Sequence, residues 1–137
     1  MLKIFFLIIL FYKPCFSNDE LEQIIDKELR TNGVEMNILN KLTTKNYMLT
    51  SPLNQEIQIG HKKLIVYRCV YKNKKKSNSQ MALIKFFSDD SKNNKNFIGW
   101  LFNDSPSISN LEDPVFNLRL KFCLDNDPIF PKLTEIK

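Results

Sequence analysis

From Val34 onward the apolar residues recur at every second position. Val34, Met36 and Ile38 alternate with Glu35 and Asn37. Tyr47 and Leu49 alternate in the same way before Pro52, and Ile57 and Ile59 make a third short run. A period of two belongs to a strand with one buried face. Polar residues from Asn40 to Asn46 separate the first two runs, and Gly60-His61-Lys62 reads as a tight turn after the third. Leu64 to Tyr71 is the strongest strand in the chain. Leu64, Val66, Arg68 and Val70 fall on one face, and Ile65, Tyr67, Cys69 and Tyr71 on the other. Both faces are mostly apolar, which predicts a central strand. Met81 to Phe87 is its return partner, Phe97 to Phe102 follows, and Val115 to Cys123 closes the set. In that last strand Phe116, Leu118, Leu120 and Phe122 are expected inside, with Asn117, Arg119 and Lys121 outside. The pattern predicts a mainly β domain over residues 34–124, an antiparallel β-sandwich or small barrel of about seven strands. Residues 125–137, with Pro128 and Pro131, read as an irregular tail.

The other end of the chain reads as an export signal of the general secretory type. Lys3 supplies the positive charge, Ile4 to Tyr12 is an unbroken apolar run, and Cys15 and Ser17 are small enough to flank a cut after Ser17. The apolar run is too short to span a bilayer. This assigns residues 1–17 to a signal peptide and the chain to the periplasm. Residues 18–33 follow as a short helix and linker: Asn18 or Asp19 caps it, Leu21, Ile24, Ile25 and Leu29 keep helical spacing, and Gly33 stops it.

Export decides how the cysteines are read. Cleavage leaves two, Cys69 and Cys123, and an even count in an exported protein predicts one disulfide. Its closed loop of about 55 residues is worth roughly 4 kcal/mol in the chain-entropy account. The strand phase conflicts with a core position, because Cys123 shares a face with Arg119 and Lys121. Either the bridge lies at the strand's end, outside the main core, or a bulge resets the phase.

Charge narrows the partners. The whole chain carries 20 basic and 15 acidic residues; without Lys3 and Lys13 the net charge is +3. The lysines come with many Asn, Ile and Phe, the bias of an AT-rich genome, so no nucleic-acid partner is expected. Lys72, Lys74, Lys75 and Lys76 form a candidate basic patch in the loop before Met81. No aromatic interleaves them as a base-stacking platform requires. Asp89 and Asp90 lack the spacing of a calcium loop, and His61 has no second imidazole, so no metal site or cofactor is expected. No Gly-x-Ser-x-Gly, Walker or dinucleotide pattern occurs, and no catalytic residue is assigned.

The densest local signals lie between Phe97 and Cys123. Gly99 inside a strand predicts a bulge or a close backbone approach, with Trp100 covering the gap. Ser105-Pro106 is a helix start whose Ile108 and Leu111 would face the sheet, and Pro114 ends it. Gly99, Trp100, Ser105, Pro106, Leu111 and Pro114 make a candidate interaction surface: an aromatic beside a capped turn on a strand edge.

Phe97-Ile98-Gly99-Trp100-Leu101-Phe102, Ser105-Pro106-Ser107, Leu111-Glu112-Asp113-Pro114-Val115-Phe116 and the closing Cys123 together resemble the C-terminal pattern of the bacterial DUF2155 family. That pattern runs phenylalanine-x-glycine-tryptophan-methionine-phenylalanine, serine-proline-serine, leucine-glutamate-histidine-proline-valine-tyrosine, then cysteine. Asn37 to Lys45, and Ile59-Gly60 with Leu64 and Cys69, resemble its upstream segments. Asp113 stands where the family usually has histidine, and the lysine-rich loop replaces an acidic, proline-containing one. The resemblance implies an exported, mainly alphaproteobacterial protein without an assigned activity. Such proteins are often encoded near an accessory subunit of respiratory complex I.

These readings lead to a non-enzymatic periplasmic binding or protein-interaction module. Its partner is expected to be a protein of the envelope or inner membrane, with membrane contact at most peripheral. An accessory or assembly factor for an inner-membrane respiratory complex, and a small periplasmic hydrolase, are the alternative expectations.

Overall fold

The computed structural model describes residues 31–71, 79–89, 96–109 and 111–136. The expected helix before Gly33 and the lysines at 72, 74, 75 and 76 lie outside these residues. Eight strands run in order: β1 (Gly33–Asn40), β2 (Asn46–Pro52), β3 (Glu56–Ile59), β4 (Lys62–Tyr71), β5 (Gln80–Phe87), β6 (Phe97–Phe102), β7 (Phe116–Leu124) and β8 (Lys132–Ile136). They form two four-stranded sheets, β7-β1-β2-β8 and β3-β4-β5-β6, and every pairing is antiparallel. The sheets stay open, so the fold is a sandwich and not a barrel.

The eighth strand corrects the expected irregular tail. Residues 132–136 pair with β2, from Lys132 opposite Thr50 to Ile136 opposite Asn46. All five β8 residues are exposed. A strand buried on neither face has no apolar alternation to announce it.

Between the sheets the alternation is as expected. Val34, Met36, Ile38 and Leu49 from the first sheet meet Leu64, Val66, Ile84, Phe86 and Leu101 from the second, all at most 2 % exposed. Fully burying one such side chain is worth about 1.5–3 kcal/mol. β4 is internal, between β3 and β5, as its two apolar faces predict. Gly60 makes the β3–β4 turn at φ +59°, a conformation that L side chains rarely adopt, and packs against Phe116.

The cysteines join the two sheets. Cys69 on β4 and Cys123 on β7 are bonded, with Cα atoms 5.5 Å apart. Both are buried, at 0 % and 5 % exposure, so the bridge lies inside the core. Of the two ways to reconcile its position with strand phase, the bulge holds, and it does so on both strands. Val66 pairs with Ile84 but Arg68 with Leu83, leaving Tyr67 unopposed. Glu35 pairs with Phe122 but Met36 with Leu120, leaving Lys121 unopposed. Each extra residue flips the alternation just before the cysteine and turns its side chain inward. The same shift corrects the expectation for Phe122, which is 47 % exposed and lies beside the Lys121 ammonium instead of in the core.

Backbone and side-chain hydrogen bonds frame the bridge. The Thr31 amide and hydroxyl both donate to the Cys69 carbonyl, at 3.2 and 2.8 Å. The Cys123 amide donates to Gln80 Oε1 at 2.5 Å. The Tyr71 hydroxyl donates to the Cys123 carbonyl and Asp125 Oδ1. Burial, then the Asp125 carboxylate, holds that phenol above its usual range.

Candidate functional site

The six residues read from the sequence as one surface are divided by the structure. Trp100 is half-buried and opposite Leu83, on the side of the second sheet away from the core. Gly99 pairs with Ile84 in regular register, so there is no bulge. The close approach is real, but Phe97 makes it and not Trp100: a Cβ on Gly99 would lie 2.7 Å from Phe97 Cζ. Pro106–Ile108 form a single 3-10 turn, and Ser105 makes no side-chain cap. Ile108 is 63 % exposed and does not face the sheet, whereas Leu111 packs against the core cluster. Pro114 is exposed.

Asp113, between Leu111 and Pro114, is the hub of a clasp that sequence reasoning missed. Its carboxylate is 2.6 Å from the Lys62 ammonium. Lys62 faces inward because it pairs with Ile59 at the start of β4, and its ammonium also lies 5.5 Å from the centre of the Phe86 ring. The second carboxylate oxygen accepts the amides of Val115 and Phe116. The Asp113 carbonyl accepts from Lys41 Nζ at 2.7 Å. Burial favours the neutral acid, but Lys62 and the two amides outweigh it and hold the carboxyl below its usual range. Every functional atom in the clasp is bonded within the protein, so it serves to hold the 111–116 segment in place. His61 is exposed in the turn, 6.0 Å from the Phe116 ring. Among the described residues no group of three His, Cys, Asp or Glu side chains is placed to hold a metal ion.

What the strands do assemble is an apolar outer face on the second sheet. Cross-strand pairing puts Ile65 beside Lys85, Leu83 beside Trp100, Lys85 beside Ile98, and Met81 beside Phe102. Ile98 is 64 % exposed, and the other apolar members are half-buried. No described element packs over them. Lys63, Arg68 and Lys85 give the face a basic cast; Lys63 is bridged to Glu56 and Asp89 at 2.9 and 2.6 Å. The outer face of the first sheet mixes Glu35, Asn37, Thr50, Asn117, Arg119 and Lys121 with Leu39, Met48, Phe122 and Ile136. The signal for the apolar face was present in the sequence. Leu64–Tyr71 and Met81–Phe87 are apolar on both sides, and a sandwich covers only one side of each sheet.

Two concavities adjoin these faces. One, of about 400 Å³, is lined by Thr31, Leu53, Asn54, Tyr67, Arg68 and Cys69, where the chain joins the free edge of β4. The other, of about 200 Å³, lies on the first sheet among Asn37, Leu39, Asn46, Asn117 and Arg119. Among the described residues neither is lined by a carboxylate.

Residues 34–123 match the family model described as "Uncharacterized protein conserved in bacteria (DUF2155)". The chain belongs to the DUF2155 family. No curated protein and no solved structure matches it. The DUF2155 match begins within β1 and ends at the second cysteine of the bridge, so it covers the sandwich apart from β8.

Proposed function

We propose that this DUF2155 protein is a non-enzymatic interaction module of the cell envelope, and that the outer face of its second sheet is the docking surface. One observation carries the reading: Ile65, Leu83, Ile98, Trp100 and Phe102 line three adjacent strands with no described element over them. Contiguous apolar surface that includes a tryptophan is what protein partners bury, and Trp is over-represented among the residues that dominate such contacts. The disulfide and the apolar N-terminal run support a place outside the cytoplasm. A hydrolase reading is less favoured, because the described residues that line these two concavities include no carboxylate.

A photoreactive amino acid at Leu83 tests this in living cells, with one at Thr50 on the opposite outer face as the control. Adducts from position 83 alone, containing an envelope or inner-membrane protein, support the reading. Recovery of respiratory-complex subunits would further make the module an accessory factor. Absence of adducts from position 83, or equal adducts from both positions, overturns it.

A further inference from the structure

The second sheet ends at β6 in an edge that carries no charge. We propose that two copies of this protein join along β6, strand against strand and antiparallel, so that their second sheets become one. This goes beyond the docking role of the outer face and holds whatever docks there.

The hydrogen-bond ladder shows which groups face that edge. The Asn103 amide donates to the Gln80 carbonyl, one step past the pair of Phe102 with Met81. Bonded and non-bonded pairs alternate in an antiparallel ladder. Phe97, Gly99 and Leu101 therefore bond to β5, and Ile98, Trp100 and Phe102 turn their amides and carbonyls away from it. The same alternation turns Val66 and Cys69 away from β5, and there the carbonyls are taken, by the amides of Asn54 and Thr31. No described residue takes the main-chain groups of Ile98, Trp100 and Phe102. The segment that follows β6 bonds elsewhere: Ile108 donates to the Ser105 carbonyl, and Val115 and Phe116 donate to Asp113.

The four edge strands differ in how they turn a neighbour away. β3 has Glu56, β7 has Arg119 and Lys121, and β8 has Lys132 and Glu135. β6, Phe-Ile-Gly-Trp-Leu-Phe, has neither a charge nor a proline. Charged side chains and prolines are what keep sheet edges from pairing, and an apolar strand without them accepts another.

The strand that fits this edge is a second β6. Two antiparallel copies centred on Trp100 place Trp100 opposite its counterpart, and Ile98 opposite Phe102 of the second copy. Every outward residue then meets an outward residue, and each pair exchanges two main-chain bonds, about six in all. On the outer face Leu83 and Trp100 run into Trp100 and Leu83 of the second copy as one apolar row. Lys85 pairs with Ile98, so its row continues into Phe102 and Met81 of the second copy. The two Lys85 side chains thus lie in different rows, and no like charges meet. One strand per copy is a small contact, so the dimer dissociates on dilution.

Sedimentation velocity on the wild type, from micromolar to submillimolar concentration, is expected to show a dimer that dissociates on dilution. Trp100→Lys sets two like charges face to face and should leave a monomer over that range. Ile65→Lys, on β4 of the same outer face, should leave the dimer intact. Far-UV circular dichroism checks that both variants keep their sheets. Cysteine substitution reads the register. Cα atoms of a bonded pair are about 5.5 Å apart, within disulfide reach. Trp100→Cys should therefore oxidise to a covalent dimer above the level of the wild type. Phe102→Cys should not, because its counterpart is displaced by four residues, roughly 13 Å. A wild type that is monomeric throughout, a dimer that survives Trp100→Lys, or equal crosslinking from both cysteine variants overturns the proposal. Leu83 is three strand spacings, about 14 Å, from Leu83 of the second copy. Crosslinking from position 83 therefore does not report on the dimer, and the dimer and the docking surface fail separately.

Discussion

Lys62 and Asp113 are bonded to each other inside the sandwich, with Nζ and Oδ2 2.6 Å apart and both residues at most 7 % exposed. The pair joins the start of β4 to the segment that leads into β7. Asp113 occupies the position where the family resemblance leads one to expect histidine. A carboxylate here can take the ammonium on one oxygen and two backbone amides on the other, which a single imidazole cannot.

Asp113→Asn tests the charge and spares the geometry. The amide oxygen can still accept from Val115 and Phe116, but Lys62 is left as a buried cation without its counter-charge. Removing one partner of a buried pair costs about 3–5 kcal/mol. Urea unfolding at neutral pH should show a loss of that order. Adding Lys62→Met should restore most of it, because an apolar side chain of similar length needs no counter-ion. A double variant no better than Asp113→Asn would show that the carboxylate acts through its backbone bonds alone.

The same carboxyl sets an acid limit. Its pKa is lowered on folding from the ordinary 3.8, so the folded state favours the ionised form. The resulting stability is fully present above the unfolded value and is lost as pH falls through the folded one. Wild-type stability should therefore exceed that of Asp113→Asn by a constant margin above about pH 5, and the margin should shrink steadily below pH 4. Unfolding midpoints measured from neutral to acid pH for both proteins check this. A margin independent of pH would mean that Asp113 is not the group titrating.

The sheets were readable from the sequence wherever one face of a strand is buried. Val34 to Ile38 and Leu118 to Leu120 show the period of two plainly, and both lie in the core. The pattern failed at Tyr67 and Lys121, where one unopposed residue inverts the phase. A bulge leaves no mark on composition, so only the conflict between a disulfide and its apparently outward cysteine hinted at it. The pairing itself followed from an expectation of export and the even cysteine count that cleavage would leave.

The candidate site was less legible, because nearness in the chain stood in for nearness in space. Trp100 and Leu111 are eleven positions apart, but one looks outward from β6 while the other packs on the core. Leu83, the actual neighbour of Trp100, lies on the preceding strand, across a loop whose length gives no register. The buried ion pair was out of reach for a similar reason. Lys62 looked like a turn residue, and only the inward pairing with Ile59 makes it a partner for Asp113.

The Cys69–Cys123 bridge should carry a large share of the stability. It ties β4 to β7 across the core, and its sequence separation is 54. Loss of that constraint costs roughly 4 kcal/mol. For a domain of this size Cys69→Ala with Cys123→Ala should lower the melting temperature by roughly 15 °C or more. Thiol alkylation of the unfolded, unreduced wild type should modify neither cysteine. Free thiols at both positions in protein isolated from cells without reductant would show that the bridge does not form in them.

Ile129 is a place where the native residue works against the fold. It has φ +65°, a region that a β-branched side chain enters only with strain. The turn is held from both sides: Ile129 donates its amide to Asp127 Oδ1 at 2.8 Å, and Phe130 donates to the Pro128 carbonyl at 2.7 Å. Pro128 is in turn wedged against Gly33, where a Cβ would lie 2.6 Å from Pro128 Cδ. The Ile129 side chain is 64 % exposed and contributes little burial in return. Asn tolerates this backbone region far better than Ile. Ile129→Asn should therefore raise stability by about 0.5–1 kcal/mol, the gain expected when a strained position receives a compatible residue. The unfolding midpoint should move up with no change in its steepness. A fall in stability would mean that the positive φ at Ile129 is not a source of strain.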